Sequence, residues 1–229
     1  MNILCTICVR KGSSGLRNKN FLKINNKMLL EYTIEVAIET KIFSQISISS
    51  DYIFSEKFKN KYKNIFFYKR PHKLSTAAVG KVKVIRDLYL QTKKNKNIDY
   101  DYIIDLDVTS PLRSTKDVIG AFKRIRTTNK SNLITIVEAK KNPYFNMVEI
   151  KNDKIKISKK INKKILSRQV APKVYDMNAS IYIWKKNELL KDQKLITKNT
   201  DFYIMDKKTS IDIDDKFDFE IVKKILETQ

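Results

Sequence analysis

A basic, glycine-containing loop follows the first apolar run of the sequence, and its residue types suit phosphate binding. The loop covers Arg10–Asn20 and reads RKGSSGLRNKN. Gly12 and Gly15 allow backbone N–H groups to approach a phosphate, and the side chains of Arg10 and Lys19 would neutralise its charge. The spacing matches neither a Walker loop nor the three-glycine dinucleotide fingerprint. An ordinary strand-to-helix turn with solvated lysines stays open as the alternative.

Two carboxylates near the end of the sequence have the spacing of a divalent-cation site. They lie in the segment Ser210–Asp215 (SIDIDD), where Asp212 and Asp214 are two positions apart and point to the same face of an extended chain. Two carboxylates together with substrate phosphate oxygens form a ligand set that Mg²⁺ favours. The alternative is structural, because Asp214 or Asp215 could cap the helix that follows. The spacing does not separate the two interpretations.

A third polar segment, Asp105–Arg113 (DLDVTSPLR), begins at the end of another apolar run. Asp105 and Asp107 share one face of the extended chain, so their carboxylates could form a second acidic site. The pair Ser110-Pro111 and the nearby Ser114 are also typical of a turn that leads into a helix. Both interpretations stay open at this level.

The cysteines and the single histidine do not have the spacing of a metal or catalytic site. Cys5 and Cys8 are three residues apart on a predicted strand, which places their side chains on opposite faces and disfavours a disulfide or a shared metal. Two cysteines and one histidine, His72, are too few for a structural zinc. A Ser-His-Asp triad would have to rely on His72, so that type of catalysis is disfavoured.

Apolar runs and helical periodicity alternate along the first part of the chain. The predicted strands are Ile3–Val9, Ile46–Ser50, Ile65–Tyr68, Tyr102–Leu106 and Leu133–Val137. The predicted helices are Leu29–Thr40, Ile53–Tyr62, Val82–Gln91 and Ser114–Arg126. This alternation predicts an α/β fold with a mostly parallel sheet. Ligands of such sheets bind beyond the carboxyl ends of the strands, where the basic loop and the Asp105–Arg113 segment begin.

The alternation stops after Glu138. Residues 140–175 resemble a β excursion, with Met147–Ile150 and Lys154–Ile157 on either side of an Asn152-Asp153 turn. Later strands are predicted at Ser180–Trp184 and Phe202–Met205, and a last helix at Lys216–Leu226. We therefore expect one domain over residues 1–229, with residues 140–175 as an inserted arm. The arm is either a dimerisation element or a plain surface hairpin.

The 229 residues carry a large surplus of positive charge. Lysine and arginine number 47 against 25 acidic residues, which gives a net charge of +22. Eight of the 47 are arginine, the residue that binds phosphates and base edges through its planar fork, and the lysines are scattered along the chain. This distribution favours a solvated surface that attracts small anions over a surface that binds nucleic acid.

The sequence also indicates in which cellular compartment the protein is found. No apolar run approaches the roughly 20 residues that span a membrane, and Met1–Val9 is too short for a secretory signal. Buried free thiols suit a reducing compartment. We expect a cytoplasmic protein with no membrane partner.

Four motifs together resemble the acylneuraminate cytidylyltransferases, the CMP-sialic acid synthetase family. They are RKGSSGLRNKN, TSPLR, the NASIYIW segment from Asn178, and YIM followed by SIDIDD, and they occur in the order and spacing of that family over nearly the whole chain. The resemblance implies a Rossmann-like nucleotide-diphospho-sugar transferase fold. It also implies a protruding dimerisation arm, which residues 140–175 would form.

The implied reaction is nucleotidyl transfer. In it the anomeric hydroxyl of a nine-carbon 2-keto sugar acid, of the legionaminic or N-acetylneuraminic type, attacks the α-phosphate of CTP, and pyrophosphate leaves. The resemblance implies Mg²⁺ or another divalent cation as cofactor, CTP and a nonulosonic acid as partners, and a homodimer. The alternatives are activation of pseudaminic acid or an eight-carbon keto-deoxy sugar and, from another class, a basic nucleic-acid-binding protein.

The resemblance further implies roles for matching residues of this sequence. The residues that match catalytic positions are Arg10, Lys19 and Asp214. The residues that match nucleotide-binding positions are Arg10, Gly12, Ser13, Gly15, Lys19, Asn20 and Arg70. Those of sugar binding are Asp107, Thr109, Ser110, Arg168, Asn178 and Tyr182, with Arg168 on the arm reaching the sugar carboxylate bound to the partner subunit. Those that bind the metal are Asp212 and Asp214.

The sequence departs from the family pattern at three places. Ser14 replaces the usual lysine of the loop, so Lys11 or Arg17 would have to compensate, and residues 76–78 lack a common acid near the cytidine. Asp107-Val108 stands where sialic-acid enzymes typically carry Gln-Pro. Together with Lys81, this resembles the bacterial branch that handles legionaminic-type sugars. A carboxylate at Asp107 would either suit a different sugar amide pattern or touch the metal.

Overall fold

Strands and helices alternate in the computed structural model, which describes residues 1–12, 16–76, 78–162, 164–191 and 194–228. The strands are β1 (Ile3–Val9), β2 (Lys23–Ile24), β3 (Lys27–Met28), β4 (Gln45–Ser50), β5 (Ile65–Lys69), β6 (Tyr102–Leu106), β7 (Asn132–Glu138), β8 (Val148–Lys151), β9 (Lys154–Ile157), β10 (Tyr175–Lys185) and β11 (Thr200–Ile204). The α-helices are α1 (Leu29–Glu39), α2 (Glu56–Lys61), α3 (Lys81–Lys96), α4 (Thr115–Thr128), α5 (Lys186–Lys191) and α6 (Lys216–Glu227). Short 3₁₀ turns cover Lys19–Phe21, His72–Leu74 and Arg168–Val170.

Seven strands form one sheet in the order β11-β7-β10-β6-β1-β4-β5. All of them run parallel except β10, which is antiparallel to β6 and β7. The first strand lies inside the sheet between β4 and β6, so the chain winds outward from it in both directions. This order creates a crevice at the carboxyl ends of the central strands. The predicted α/β, Rossmann-like fold with a mostly parallel sheet is confirmed.

Helices cover both faces of the sheet, which explains the continuous apolar runs of the strands. One face packs against α1, α4 and α6 and includes Cys5, while the other packs against α3 and α5 and includes Leu4 and Cys8. Cys5 and Cys8 are both free. The prediction that they lie on opposite faces of β1 is confirmed.

Capping side chains decide where several helices begin. Ser55 Oγ accepts a hydrogen bond from the backbone of α2, so that helix begins at Glu56 and the predicted start at Ile53 is wrong. Ser114 and Asp117 form a capping box at the start of α4, close to the predicted boundary. Asp215 does the same for α6 together with Asp218.

The region after β7 contains the predicted excursion. β8 and β9 pair as a separate, exposed antiparallel hairpin, and Asn152 and Asp153 at its turn have φ values of 52° and 56°. These positive values are typical of a type I′ turn. β10 is longer than the predicted Ser180–Trp184 because its first residues also pair with β7, before a register shift between Met177 and Tyr182. Among the described residues, no helix has the length and apolar character needed to cross a membrane.

Candidate active site

A cavity of about 540 Å³ opens at the carboxyl ends of the central strands, where an α/β sheet binds its ligands. Its lining residues are Cys8, Arg10, Lys19, Asn20, Arg70, Thr76, Val79, Lys81, Val84, Asp107, Thr109, Asp212 and Asp214. Eight of these are residues that the sequence assigned to the site. The loop after β1, the segment after β6 and the SIDIDD segment therefore meet in one place, although they lie far apart in the chain.

The basic wall of the cavity comes from the loop after β1. Arg10 is the first residue after the strand, and the buried Asn20 ties the loop back to it by donating Nδ2–H to the Arg10 carbonyl at 3.1 Å. Lys19 lies in the 3₁₀ turn, and its Nζ is 3.2 Å from Asp214 Oδ1. This ion pair joins the loop after β1 to the SIDIDD segment.

A second arginine is fixed at the end of β5. The backbone N–H of Arg70 donates to the Ser50 carbonyl at 2.8 Å, and its guanidinium donates to Ser49 Oγ at 3.0 Å and to the Ser49 carbonyl at 2.8 Å. The side chain is buried, so these hydrogen bonds hold its charge in one position on the cavity wall. Such a preorganised cation suits an anionic ligand.

The acidic wall is formed by Asp212 and Asp214. Between them, Ile213 is fully buried and donates its backbone N–H to the Thr109 carbonyl at 2.8 Å, which directs the two neighbouring side chains to the cavity. Asp214 is largely exposed, whereas Asp212 is partly buried. The next residue, Asp215, caps α6. The sequence left a metal site and a helix cap open for this segment. In the structure Asp215 caps the helix, and Asp212 and Asp214 line the cavity.

The electrostatic surroundings of Asp212 are unusual for a carboxylate. Burial raises its pKa, a hydrogen bond with Thr109 opposes this, and the negative charges of Asp107 and Asp214 raise it further, to about 6. Its buried Oδ1 atom has no hydrogen-bond partner among the described residues. A buried carboxylate oxygen without a donor is suited to a cation as its missing partner.

The donor set fits one hard divalent cation bound jointly with a ligand. In the described ranges, no three His, Cys, Asp or Glu side chains are grouped so that they could hold a metal alone. Mg²⁺ usually takes one or two carboxylates and completes its shell with water and phosphate oxygens. Asp212 and Asp214 supply such a pair on the wall of the cavity.

A lysine that the sequence did not assign to the site binds the other pair of acids. Lys81, the first residue of α3, has its Nζ 3.0 Å from Asp105 Oδ2 and also contacts Asp107 Oδ2. The backbone N–H and Oγ1–H of Thr109 donate to Asp107 Oδ1 at 3.2 and 3.1 Å. Burial raises the pKa of Asp107, but Lys81 and Thr109 outweigh it and bring the pKa down to about 2. The second acidic site anticipated from the spacing therefore contains its own cation.

Beneath this cluster, Arg113 clamps the backbone of the segment after β6. This buried side chain donates to the Asp107 carbonyl at 2.9 Å and to the Ser180 carbonyl at 2.8 Å. Burial lowers the pKa of Arg113 to about 10. Its role, like that of Lys81, was missed by sequence reasoning. The sequence marked Lys81 only as part of the resemblance to the legionaminic-type branch. A further signal is that a lysine opens α3, where the helix dipole disfavours a cation unless it has another partner.

Four of the six residues predicted to bind sugar, namely Ser110, Asn178, Tyr182 and Arg168, do not line the cavity. Ser110 is fully buried, and Asn178 is buried while it accepts from Thr135 Oγ1 at 2.7 Å. Tyr182 is buried beside the cluster, with Lys81 Nζ 5.2 Å from its ring centroid. The contact of these residues with sugar stays a prediction.

The other predicted residues are placed as follows. Arg168 is exposed at the base of the arm, donates to the Lys140 carbonyl at 2.8 Å and lines a separate cavity of about 250 Å³. Gly12 is exposed and does not line the main cavity. Ser13 and Gly15 lie outside the described residues. Within one chain, Arg168 is therefore not part of the main site.

Comparison with known proteins agrees with this geometry. Residues 4–228 match the family model described as Cytidylyltransferase. The chain is 43% identical over 224 residues to the CMP-N,N'-diacetyllegionaminic acid synthase of Campylobacter jejuni, and this match covers 98% of the chain and 94% of that protein. It is 42% identical, with the same coverage, to the post-translational flagellin modification protein B of Campylobacter coli. An N-acylneuraminate cytidylyltransferase of Escherichia coli is 31% identical over 96% of the chain and 51% of that protein.

Solved structures share the fold at much lower identity. A 4-diphosphocytidyl-2C-methyl-D-erythritol synthase aligns with a TM-score of 0.69 and 10% identity, covering 98% of both chains. A CMP:2-keto-3-deoxy-manno-octonic acid synthetase aligns with a TM-score of 0.67 and 12% identity, covering 100% of this chain and 99% of the other. Matched along nearly its whole length by the family model and by close relatives, the chain belongs to the cytidylyltransferase family of nucleotidyltransferases.

Proposed function

We propose that the protein transfers CMP from CTP to the anomeric hydroxyl of a nine-carbon 2-keto sugar acid of the legionaminic or N-acetylneuraminic type. Pyrophosphate is released, and a phosphate ester forms at the sugar. The observation that carries this proposal is that three cations, Arg10, Lys19 and Arg70, and two acids, Asp212 and Asp214, line one cavity. Relatives named for these two types of sugar acid support the choice of acceptor.

The basic wall is the proposed triphosphate site. Negative charge develops on the transferring and leaving phosphate oxygens, so cations held in advance at those oxygens lower the barrier. Arg10 and Lys19 supply two such cations, while Asn20 holds the loop in shape through the Arg10 carbonyl. The fixed guanidinium of Arg70 is assigned to the nucleotide as well. Backbone N–H groups of the loop at Gly12, and at Ser13 and Gly15, belong to the same proposal.

Asp212 and Asp214 are the proposed ligands of Mg²⁺. When bound, this ion would neutralise charge on the phosphate oxygens and orient them. Asp214 has a second assigned role, the acceptance of the proton that the sugar hydroxyl loses, because its carboxylate is exposed to the cavity. In the structure the Lys19 ammonium lies 3.2 Å from Oδ1 of this carboxylate.

The sugar acid is assigned to the end of the cavity near β6. Asp107 and Thr109 line the cavity there, and the buried Ser110, Asn178 and Tyr182 belong to the same proposal. An ionised Asp107 is an acceptor of hydrogen bonds only, so it suits an acetamido N–H or a hydroxyl of the sugar.

The arm and its exposed Arg168 complete the proposal. The apolar side chains of Val148, Ile150 and Ile155 are exposed on the hairpin, which is consistent with contact to a second copy of the chain. In such a homodimer, Arg168 would reach the sugar carboxylate at the partner subunit's site. A cytoplasmic location belongs to the same proposal, supported by the two free cysteines.

The decisive test offers the purified protein CTP, Mg²⁺ and one acceptor at a time. The acceptors are N,N'-diacetyllegionaminic acid, N-acetylneuraminic acid and pseudaminic acid, and the readouts are pyrophosphate release and the mass of the CMP-sugar. We expect release only when a legionaminic or N-acetylneuraminic acid is present, and its abolition by a chelator. A folded protein with no turnover on any of the three acids would overturn the proposal.

A further inference from the structure

Lys81 contacts two carboxylates at once on the cavity wall. Its Nζ lies 3.0 Å from Asp105 Oδ2 and also contacts Asp107 Oδ2, so the ammonium stands between two acids that flank the end of β6. One cation and two anions leave this cluster with an excess of negative charge. The charge of Lys81 is therefore already engaged and is not available to bind a phosphate.

Burial makes the two acids dependent on a cation. Asp105 is fully buried, and its Oδ1 accepts a hydrogen bond from Thr6 Oγ1 at 2.8 Å. Its Oδ2 accepts no hydrogen bond from the described part of the chain and has Lys81 as its ion-pair partner. Buried carboxylates without a compensating positive charge are strongly unfavourable. If Lys81 lost its charge, another cation would have to take its place between the two carboxylates.

Hydrogen bonds connect this cluster to the proposed metal ligands. Asp107 accepts two hydrogen bonds from Thr109, and the Thr109 carbonyl in turn accepts from the backbone N–H of Ile213 at 2.8 Å. Ile213 stands between Asp212 and Asp214. The positions of Asp107 and of the SIDIDD segment therefore both depend on Thr109.

We propose that Lys81 is a positioning residue that fills the place of a second metal ion. Its ammonium supplies a permanent positive charge between Asp105 and Asp107, so the protein takes one dissociable divalent cation, at Asp212 and Asp214. The same contact holds the Asp107 carboxylate in the orientation in which it accepts an N–H or O–H of the sugar acid. This last part rests on the proposed function.

Substitutions on α3 separate the charge of Lys81 from its packing. Lys81→Met removes the charge and keeps an unbranched apolar side chain beside the ring of Tyr182. Lys81→Arg keeps the charge. Lys83→Met is the matched control, because Lys83 is an exposed lysine two positions along the same helix.

The first measurement counts bound Mn²⁺ by electron paramagnetic resonance, without nucleotide. We expect Lys81→Met to bind one more Mn²⁺ per chain than the wild type, and Lys81→Arg and Lys83→Met to bind the same number as the wild type. Adding Asp107→Asn to Lys81→Met should remove the extra ion, because one of its two carboxylates is gone. An unchanged Mn²⁺ count in a folded Lys81→Met protein would overturn the proposal. This count does not depend on which sugar is the substrate.

The second measurement is kinetic and uses N,N'-diacetyllegionaminic acid as the acceptor. We expect Lys81→Met to raise its KM about tenfold, since a misplaced Asp107 loses a hydrogen bond to the sugar. Raising the Mn²⁺ concentration should restore part of the activity of Lys81→Met, and Lys81→Arg should rescue it without added metal. A purely structural role would lower the melting temperature and leave the metal dependence unchanged, which would contradict the proposal.

Asp107→Asn alone keeps the test valid if Lys81→Met does not fold. It removes the carboxylate acceptor but leaves the ion pair of Lys81 with Asp105. We expect a raised KM for the sugar acid together with the wild-type Mn²⁺ count. An extra Mn²⁺ bound to this variant, or an unchanged KM, would count against the assigned role of Lys81. If the wild type turns over none of the sugar acids, the proposed function fails, while the Mn²⁺ count still decides the role of Lys81.

Discussion

Two pairs of aspartates in this chain have the same spacing and opposite surroundings. Asp105 and Asp107 hold a lysine between them, and the pKa of Asp107 is lowered to about 2. Asp212 and Asp214 share no such lysine, and burial and neighbouring carboxylates raise the pKa of Asp212 to about 6. The first pair has a positive charge from the protein between its carboxylates, while a buried oxygen of the second pair, Asp212 Oδ1, has no hydrogen-bond partner among the described residues.

The difference between the pairs comes from the elements that face them. Lys81, the first residue of α3, contacts both acids of the first pair at the end of β6. The second pair faces the loop after β1, whose Lys19 Nζ lies 3.2 Å from Oδ1 of the exposed Asp214. Identical spacing along the chain therefore produced one ion-pair cluster and one open ligand set. The surroundings, and not the spacing, distinguish a structural acid from one that can bind a metal.

The largest loss of activity should come from a substitution in the proposed metal-binding pair, Asp212 and Asp214. We expect Asp214→Asn to reduce turnover roughly 1000-fold, because it removes a proposed metal ligand and the proposed proton acceptor together. Pyrophosphate release from CTP and the sugar acid measures this loss, and circular dichroism checks the fold.

The chain supplies a matched control one residue away. Asp215→Asn changes the neighbouring carboxylate, which caps α6. Asparagine caps helices as well as aspartate does, so the turnover of this variant should stay close to that of the wild type. Equal losses in the two variants would show that the acidic segment acts through general charge and would remove the distinction between its members.

The comparison also predicts opposite effects on stability. Asp105→Asn should lower the free energy of unfolding by about 3 kcal/mol, because it breaks a buried ion pair and turns an amide toward the ammonium of Lys81. Asp212→Asn should leave the metal-free protein no less stable, because the folded state disfavours the charged form of that residue. Urea denaturation at neutral pH without metal measures both. If the Asp212→Asn protein were less stable than the wild type, Asp212 would contribute to the stability of the fold as Asp105 does.

Sequence reasoning recovered most of the fold because apolar runs and helical periodicity are local signals. The run Ile3–Val9 became β1 without change, since a strand covered on both faces is apolar throughout. The boundary of α2 was missed because Ser55 caps it, and β10 was underestimated because its first residues depend on pairing with β7. Elements whose limits are set by a distant partner could not be read from their own residues.

The site was recovered in part for a similar reason. Acids two positions apart can be recognised in a sequence, and so can a basic glycine-containing loop. Lys81 could not be identified from its own residue type, because it is one of many lysines and its role arises only where α3 meets β6. Arg113 was likewise missed, since its contact with Ser180 spans 67 positions of the chain.

The low pKa of Asp107 predicts a smaller effect, a dependence of the free energy of unfolding on pH. This carboxyl has a folded-state pKa of about 2, below the value near 4 of an unfolded chain, so its stabilising contribution is complete above about pH 4 and is lost as the pH falls toward about 2. Asp107→Asn lacks the titrating group and serves as the reference. The difference in free energy of unfolding between the wild type and this variant should shrink by about 2 kcal/mol between about pH 5 and about pH 2.

The source of this pH dependence can be checked with Lys81→Met. The lysine is the main charge that holds Asp107 ionised against its burial, so without it the loss of stability should begin at a higher pH. Lys83→Met, on the same helix, should leave the curve of the wild type unchanged. A difference between wild type and Asp107→Asn that is constant over this pH range would mean that Asp107 has an ordinary pKa. The two aspartate pairs would then differ in geometry but not in charge.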